Sequence, residues 1–266
     1  MNDSFVKMSN FMSNNKLKLN DDKTHLLLVS TKQRLTRIDG NDVTIKTPGG
    51  DIKPIKSERL LGVQVQDDLK WSEYLVKDKK SLVSQLSTRL SALKLISQTA
   101  SFKSRLLIAN GIFCSKLIYQ ISLWGGAASY LIDILQRSQN RAARFVTKRD
   151  KYTPVAELLK ECGWLSVRQL DFLHSTVLVH KTLQTGSPKY LYNRFTEHGQ
   201  FPYPTRLAAS ETIRIGPAFT SRLSITEKSF VNRGMKYYNS LPAELRKLSS
   251  LSSFKPNLRN WIQDNV

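Results

Sequence analysis

The alternation of apolar and polar positions divides the 266-residue chain into a short β-rich opening and a long helical remainder. Phe5, Met8 and Met12 recur at helical spacing, and the Ser13-Asn14-Asn15 cluster closes that helix. After the turn at Asn20-Asp21-Asp22, HLLLVST (25–31) has the length and polar bounds of a buried strand. DVTIKTPGGDIKPI (42–55) predicts two short strands around Pro48-Gly49-Gly50, with Pro54 confining the second to a sheet edge. RLLGVQVQ (59–66) alternates as one further strand, in which Gly62 permits a bulge or a close backbone approach.

From Trp71 the period changes from two to near 3.6. Leu75, Leu82, Leu86, Leu90 and Leu93 line one face of a predicted long helix, with Lys79, Lys80, Arg89 and Lys94 largely outside it. Asp67 or Asp68 stands where a cap favours the positive N-terminal end. Helices over 102–122 and 129–149 follow, separated by Gly125-Gly126. In TPVAELLKECG (153–163) the Thr caps, the Pro occupies the first helical position and Gly163 is the stop. A helix over 166–184 ends at Gly186 and Pro188, and residues 195–226 read as an irregular connector rich in Pro, Ser, Thr and Gly. Two last helices, 227–239 and 253–264, flank SLPAELRKL (240–248). There is no internal repeat and no low-complexity tract. The fold class is α+β: a small antiparallel β element followed by mostly helical sequence.

Charge changes the picture of what this surface meets. Forty-one Lys and Arg against twenty-one Asp and Glu give a net +20, which favours polyanions such as nucleic acid or an anionic membrane face. The surplus is uneven: residues 71–151 hold fourteen basic and four acidic side chains, and are the electrostatic centre of the chain. Cys114 and Cys162 are too few for a disulfide framework or a zinc knuckle and read as reduced core thiols. No signal-peptide core and no apolar run long enough to span a bilayer is present, so the expectation is a soluble intracellular protein, nuclear or cytoplasmic, with no membrane partner.

The carboxylate pairs Asp21-Asp22 and Asp67-Asp68 lack the setting of a two-metal site, which needs carboxylates converging from separate strands. One pair lies in a turn and the other precedes a helix. His25, His174, His180 and His198 have no ligand spacing, a Cys162–His180 pair has no orienting signature, and no glycine loop cradles phosphate. The expectation is no catalytic site, no metal site and no cofactor within the chain. LQRSQNRAARFVTKRDK (135–151) is more informative. Arg137, Arg141, Arg144 and Lys148 recur at four, three and four residues as one cationic stripe, while Leu131, Ile134, Leu135, Ala142 and Phe145 supply apolar surface elsewhere. Few acidic partners accompany that stripe, so phosphate contact is favoured over a merely solvated face.

FMSNNKLKLNDDKTHLLLVST (11–31) resembles the segment after the catalytic hairpin in reverse transcriptases of non-LTR retrotransposons, especially the jockey-like and CR1-like groups. Met12, Asn15, Leu17, Leu19, Asn20, Lys23 and Thr24 match that pattern, and Phe11 replaces its Trp. ERLLGVQVQDDLKW (58–71) is similar to the following L-G-V-x-x-D-x-x-L-x-W segment, which includes the primer grip. KLIYQISLWGG, LQRSQNRAARFV, TPVAELLKECGWLSV and SPKYLYNRF then occur in the family's order. YYNSLPAELRKLSSLSSFKPNLRNWI (237–262) resembles its W-N-x-L-P…S…F-K ending, with Tyr238 for Trp.

The resemblance implies a remnant of the polymerase palm over 1–68, a basic helical thumb over 69–151 and a mostly helical C-terminal extension over 152–266. It implies that the metal-binding Tyr-x-Asp-Asp hairpin, with the Mg²⁺ of the parent enzyme, precedes this segment. Lys23 then matches the palm lysine, and the chain alone is expected to be inactive as an RNA-directed DNA polymerase. The function it points to is holding RNA, DNA or an RNA–DNA duplex, through Arg137, Arg141, Arg144 and Lys148 together with Lys79, Lys80 and Arg89. The alternative is a non-catalytic nucleic-acid-binding or scaffold protein derived from such an element.

Overall fold

The computed structural model describes residues 2–18, 20, 23–38, 43–47, 50–96, 99–196 and 224–266. The Asp21-Asp22 pair, the Pro48-Gly49 part of the predicted hairpin turn, His198 and nearly all of the predicted connector lie outside the described residues. The fold is α+β, and the chain forms two compact units, Met1–Asp78 and Lys79–Val266. The boundary falls within the four consecutive charges Lys77-Asp78-Lys79-Lys80, ten residues beyond the expected 68/69 division. Residues 79–151 and 152–266 share one unit.

In the first unit, α1 (Asn2–Asn14) buries Phe5 and is followed by a turn built on Asn20. The Asn20 side-chain oxygen accepts from the Lys23 amide at 3.2 Å, and its carbonyl accepts from the Thr24 hydroxyl at 2.8 Å. That accounts locally for the Asn-x-x-Lys-Thr spacing. Among the described residues the strands form three two-stranded pairs, two antiparallel and one parallel. β1 (Leu26–Leu27) pairs in parallel with β4 (Pro54–Ile55), so HLLLVST contributes two strand residues instead of seven. Pro54 has no N–H to extend that ladder. β2 (Ile45–Thr47) and β3 (Gly50–Ile52) form the expected antiparallel hairpin, after the short α2 (Lys32–Leu35).

RLLGVQVQ is not one strand. β5 (Ser57–Leu60) and β6 (Val63–Gln66) are antiparallel, with Leu60 opposite Val63. Leu61 and Gly62 form a two-residue turn with φ of 48° and 84°. Two left-handed residues match the twist of the flanking strands, which is why Gly62 serves here as a turn and not as a bulge. The predicted aspartate cap is also replaced. Gln66 Oε1 accepts from the Glu73 amide at 3.1 Å, at the start of a π-helical turn over Glu73–Lys77. Asp68 instead accepts from its neighbour, the Lys70 amide, at 3.2 Å.

The predicted long helix from Trp71 is interrupted after Lys77, where Asp78 turns extended at ψ 148°. Ser81 then caps α3 (Leu82–Ile96), accepting from the Ser84 amide at 3.4 Å. Leu82, Leu86 and Leu93 are buried as expected. The predicted 102–122 helix is also segmented: α4 (Phe102–Ala109), a π-helical turn over Asn110–Cys114, α5 (Ser115–Ile118) and α6 (Ile121–Trp124), with Gln120 left-handed at φ 55° between the last two. The Ile112 carbonyl in the widened turn accepts from Arg89 Nη1 at 2.7 Å.

Beyond Gly125-Gly126 come α7 (Ser129–Thr147), α8 (Val155–Glu161), α9 (Val167–Thr185) and α10 (Lys189–Thr196). After the undescribed stretch come α11 (Ser224–Glu227), α12 (Phe230–Asn239), α13 (Ala243–Arg246) and α14 (Leu251–Asn265). Pro154 is the N-cap of α8, one place earlier than the expected first helical position, and Gly163 just past its end has φ 64°. Asp150, not Thr153, supplies the polar side chain ahead of it, accepting from the Tyr152 and Thr153 amides at 2.8 and 2.9 Å.

α9 is the axis of this unit and contacts α6, α7, α10, α12 and α14. It starts in a capping box between Ser166 and Gln169 and ends at Gly186 with φ 65°. Because it is surrounded, it buries polar as well as apolar positions: Asp171, Ser175, Thr176, His180 and Thr182 all lie inside. Asp171 is paired with Arg233 of α12 at 2.8 Å (Nε to Oδ2) and 3.0 Å (Nη2 to Oδ1). Ser175 and Tyr237 donate to the same carboxylate at 3.0 and 3.1 Å. The guanidinium also reaches the Lys228 and Ser122 carbonyls at 2.6 and 2.7 Å. Gly125 and Gly126 are the only residue type this arrangement admits. A Cβ at Gly125 would meet Asp171 Oδ1 at 2.2 Å, and one at Gly126 would meet the Lys228 carbonyl oxygen at 2.1 Å.

His180 lies fully inside, stacked on Phe254 with ring centroids 3.7 Å apart, and its Nδ1 is 3.3 Å from the Tyr238 hydroxyl. Burial pushes its pKa below the ordinary 6.5, against a smaller upward pull from the Leu248 backbone. His174 is lowered too, by burial and then by the charge of Lys255. The unfolded chain therefore binds protons near pH 6.5 that the folded chain refuses. Stability is full above that pH and falls as pH drops from 6.5 towards the folded-state values, by at most about 1.4 kcal/mol per pH unit for each imidazole. Urea midpoints at successive pH values between 7.5 and 5.5 are expected to fall as pH is lowered, and His174→Gln to remove part of that dependence. An unchanged midpoint over that range would contradict the lowered imidazole pKa values.

Candidate nucleic-acid interface

The cationic stripe foreseen in 135–151 lies on α7, and the helix is amphipathic in a way that leaves it outward. Leu131, Ile132, Leu135, Ala142, Ala143 and Val146 are buried, and α7 packs on α3, α4, α8 and α9. Gln139, 1 % exposed, donates to the Leu165 carbonyl at 2.8 Å. Gln136 Oε1 accepts from the Val167 amide at 2.8 Å. Together the two glutamines fix α7 against the start of α9.

On the opposite face Arg137 and Arg141 are exposed. With a rise of about 1.5 Å per residue, four positions place them roughly one turn apart along the axis. Among the described residues neither makes an ion pair or a side-chain hydrogen bond. Asp133, one turn earlier, is engaged by Arg168 of α9 at 3.4 Å. Arg144 is half-buried, with its Nε shielded from solvent and without a partner, so it presents less of its charge than the spacing suggests. Lys148 is exposed but sits just past the helix in a left-handed conformation, φ 55° and ψ 24°, which takes it off the helical register of the other three. The stripe is two exposed arginines, one half-buried arginine and a lysine in the following loop.

The other cations predicted for this surface divide. Lys79 and Lys80 are exposed at the start of the second unit. Arg89 is committed internally to the Ile112 carbonyl, so it serves the packing of α3 on the 110–114 turn. Arg105, not singled out from the sequence, is buried and donates to the Val146 carbonyl at 2.8 Å and the Ala100 carbonyl at 2.6 Å. It satisfies a carbonyl of the last turn of α7, where no intrahelical donor is left and a cation is favoured. Arg149 pairs with Glu161 at 3.2 Å. Part of the positive surplus thus holds the fold together and is not offered to a partner. Lys23 is exposed in the first unit.

No group of three or more His, Cys, Asp or Glu side chains that could hold a metal occurs among the described residues. Cys114 and Cys162 are free, buried thiols, and burial raises them to about 12 and about 11. Protonated thiols of that kind are poor nucleophiles. His180 is engaged by Tyr238 and Phe254, so nothing here builds the Cys162–His180 pair. No described helix is long and apolar enough to cross a membrane. Comparison of the chain with protein-family models, with curated proteins and with solved structures finds no match.

Proposed function

We propose that this chain is the nucleic-acid-holding part of a reverse transcriptase of the non-LTR retrotransposon type, and that the outer face of α7 contacts the phosphates of a template–primer duplex. The observation that carries the reading is the outward row of Arg137 and Arg141 on a helix whose other face is locked into the core, without acidic partners of its own. A long, held helix presents its cations in fixed register, which suits repeated phosphates better than it suits a compact anion. The family resemblance in sequence supplies the identity of the duplex. On this reading the metal-binding aspartates belong to the hairpin that the family carries ahead of this segment. The chain alone then holds a duplex without extending it.

The test is binding of the purified chain to two RNA–DNA hybrids of unrelated sequence, followed by fluorescence anisotropy. Similar affinities are expected for both, with Arg137→Gln/Arg141→Gln weakening both alike, because phosphate contacts position a duplex without reading its bases. A loss confined to one sequence, or no loss, would contradict the reading.

A further inference from the structure

The helical run from α4 to α6 carries two rows of residues at a spacing of four. Arg105, Ala109, Phe113, Leu117 and Ile121 are buried, whereas Leu107, Gly111, Ser115, Tyr119 and Leu123 are exposed. Four residues overshoot an ordinary α-helical turn of 3.6, so such rows drift around the axis of a regular helix. The π-helical turn over Asn110–Cys114 takes up an extra residue and keeps both rows in register. The outer row is apolar with a low centre. Leu107 is 72 % exposed and Leu123 43 % exposed, with Gly111 and Ser115 between them. Ser115 turns its hydroxyl back to donate to the Gly111 carbonyl. Nothing inside the fold requires glycine at 111. Its φ is not positive, and a Cβ there would meet no atom within 4 Å. Glycine inside a helix is less stable than alanine, so the open centre of this row points to a close approach from outside.

We propose that the outer face of α4 and α5 docks an acidic amphipathic helix of a partner protein, which crosses at Gly111 and lays its apolar side chains against Leu107 and its neighbours. Charge complementarity selects that partner. Residues 79–132 hold seven Lys and Arg and no Asp or Glu. The two arginines among the seven are bonded internally, Arg89 to the Ile112 carbonyl and Arg105 to the Val146 and Ala100 carbonyls. The outward charge is therefore lysine, and exposed Lys103 stands one turn ahead of Leu107. A helix with carboxylates beside an apolar stripe meets both the lysines and the apolar row. A phosphate backbone would match the charge alone and leave the row without a counterpart. The proposal goes beyond the reading of α7 and uses none of its residues.

The probe is a labelled synthetic peptide helix with leucine on one face and glutamate on the others, titrated with the full chain and followed by anisotropy. The parent chain is expected to bind it about tenfold or more tightly than a peptide of the same composition scrambled to lose the apolar face. Gly111→Gln, which fills the open centre, and Leu107→Glu should each weaken that binding about tenfold, with affinity for an RNA–DNA hybrid unchanged. Arg137→Gln/Arg141→Gln should do the reverse. Gly111→Ala should raise the urea midpoint, because the fold does not need glycine there. Both positions are exposed, and unchanged circular dichroism would verify that the variants fold. No binding of the amphipathic peptide, equal binding of the scrambled one, or undiminished binding by Gly111→Gln overturns the docking face. So does a lower midpoint for Gly111→Ala, which would give the glycine to the fold. Loss of hybrid affinity in Gly111→Gln and Leu107→Glu would assign the face to nucleic acid and overturn it too. None of these outcomes alters the test of Arg137 and Arg141.

Discussion

Arg233→Met is expected to lower the unfolding free energy by about 3–5 kcal/mol, the range found when one partner of a buried ion pair is removed. The residues explain why the effect belongs at the upper end for single substitutions. Asp171 and Arg233 are 3 % and 8 % exposed, so the surviving carboxylate cannot recover by hydration. The Lys228 and Ser122 carbonyls lose a donor in the same change. Methionine matches the length of the stem, so the space between α9, α12 and the Gly125-Gly126 turn stays largely filled. The measurement is a urea unfolding curve of the variant against the parent. Asp171→Leu/Arg233→Met, which removes both charges, should lose less than the sum of its single variants. Additive losses would mean that the pair is not coupled.

The Asp171–Arg233 pair was not legible in the sequence. Arg233 falls in an amphipathic helix and Asp171 in one that mixes apolar and polar residues, and nothing in either local pattern marks a partner sixty-two positions away. The available signal was the Gly125-Gly126 pair, which reads locally as a helix break; its second reason is the close approach of Asp171, Arg233 and the Lys228 carbonyl. Periodicity did better where burial has one direction. The positions of α1, α7, α9, α12 and α14 follow from the 3.6 period, with shifts of a few residues at their ends. It failed where hydrogen bonds to side chains override the pattern. Ser81 starts a new helix inside an unbroken leucine stripe, and Leu61-Gly62 folds one apparent strand into a hairpin. The basic stripe on α7 was legible as spacing, because arginine at four-residue intervals on an amphipathic helix has one exposed direction to face. Its true strength was not. Separating Arg137 and Arg141 from half-buried Arg144, off-register Lys148 and internally bonded Arg89 and Arg105 requires knowing which carbonyls lack donors.

The second large effect is on binding. Each phosphate contact releases condensed counterions and adds about 0.9 to the magnitude of the slope of log affinity against log salt. Arg137 and Arg141 are the two exposed members of the row, so losing both should lower that magnitude by roughly 1.8. The slope change is larger than error in most titrations, and it is insensitive to the fraction of active protein. Arg144→Gln should add less than a full contact, since its Nε is buried, and Arg89→Gln should alter stability more than binding. Glutamine preserves helix propensity, so a folding defect in the α7 variants can be excluded by circular dichroism.

The most direct measurement of the central claim is therefore the salt dependence of RNA–DNA hybrid binding by the parent chain and by Arg137→Gln/Arg141→Gln. A slope reduced by about 1.8 in the double variant, with unchanged circular dichroism, is the predicted result. An identical slope in both proteins would return α7 to an ordinary solvated helix face and contradict the account.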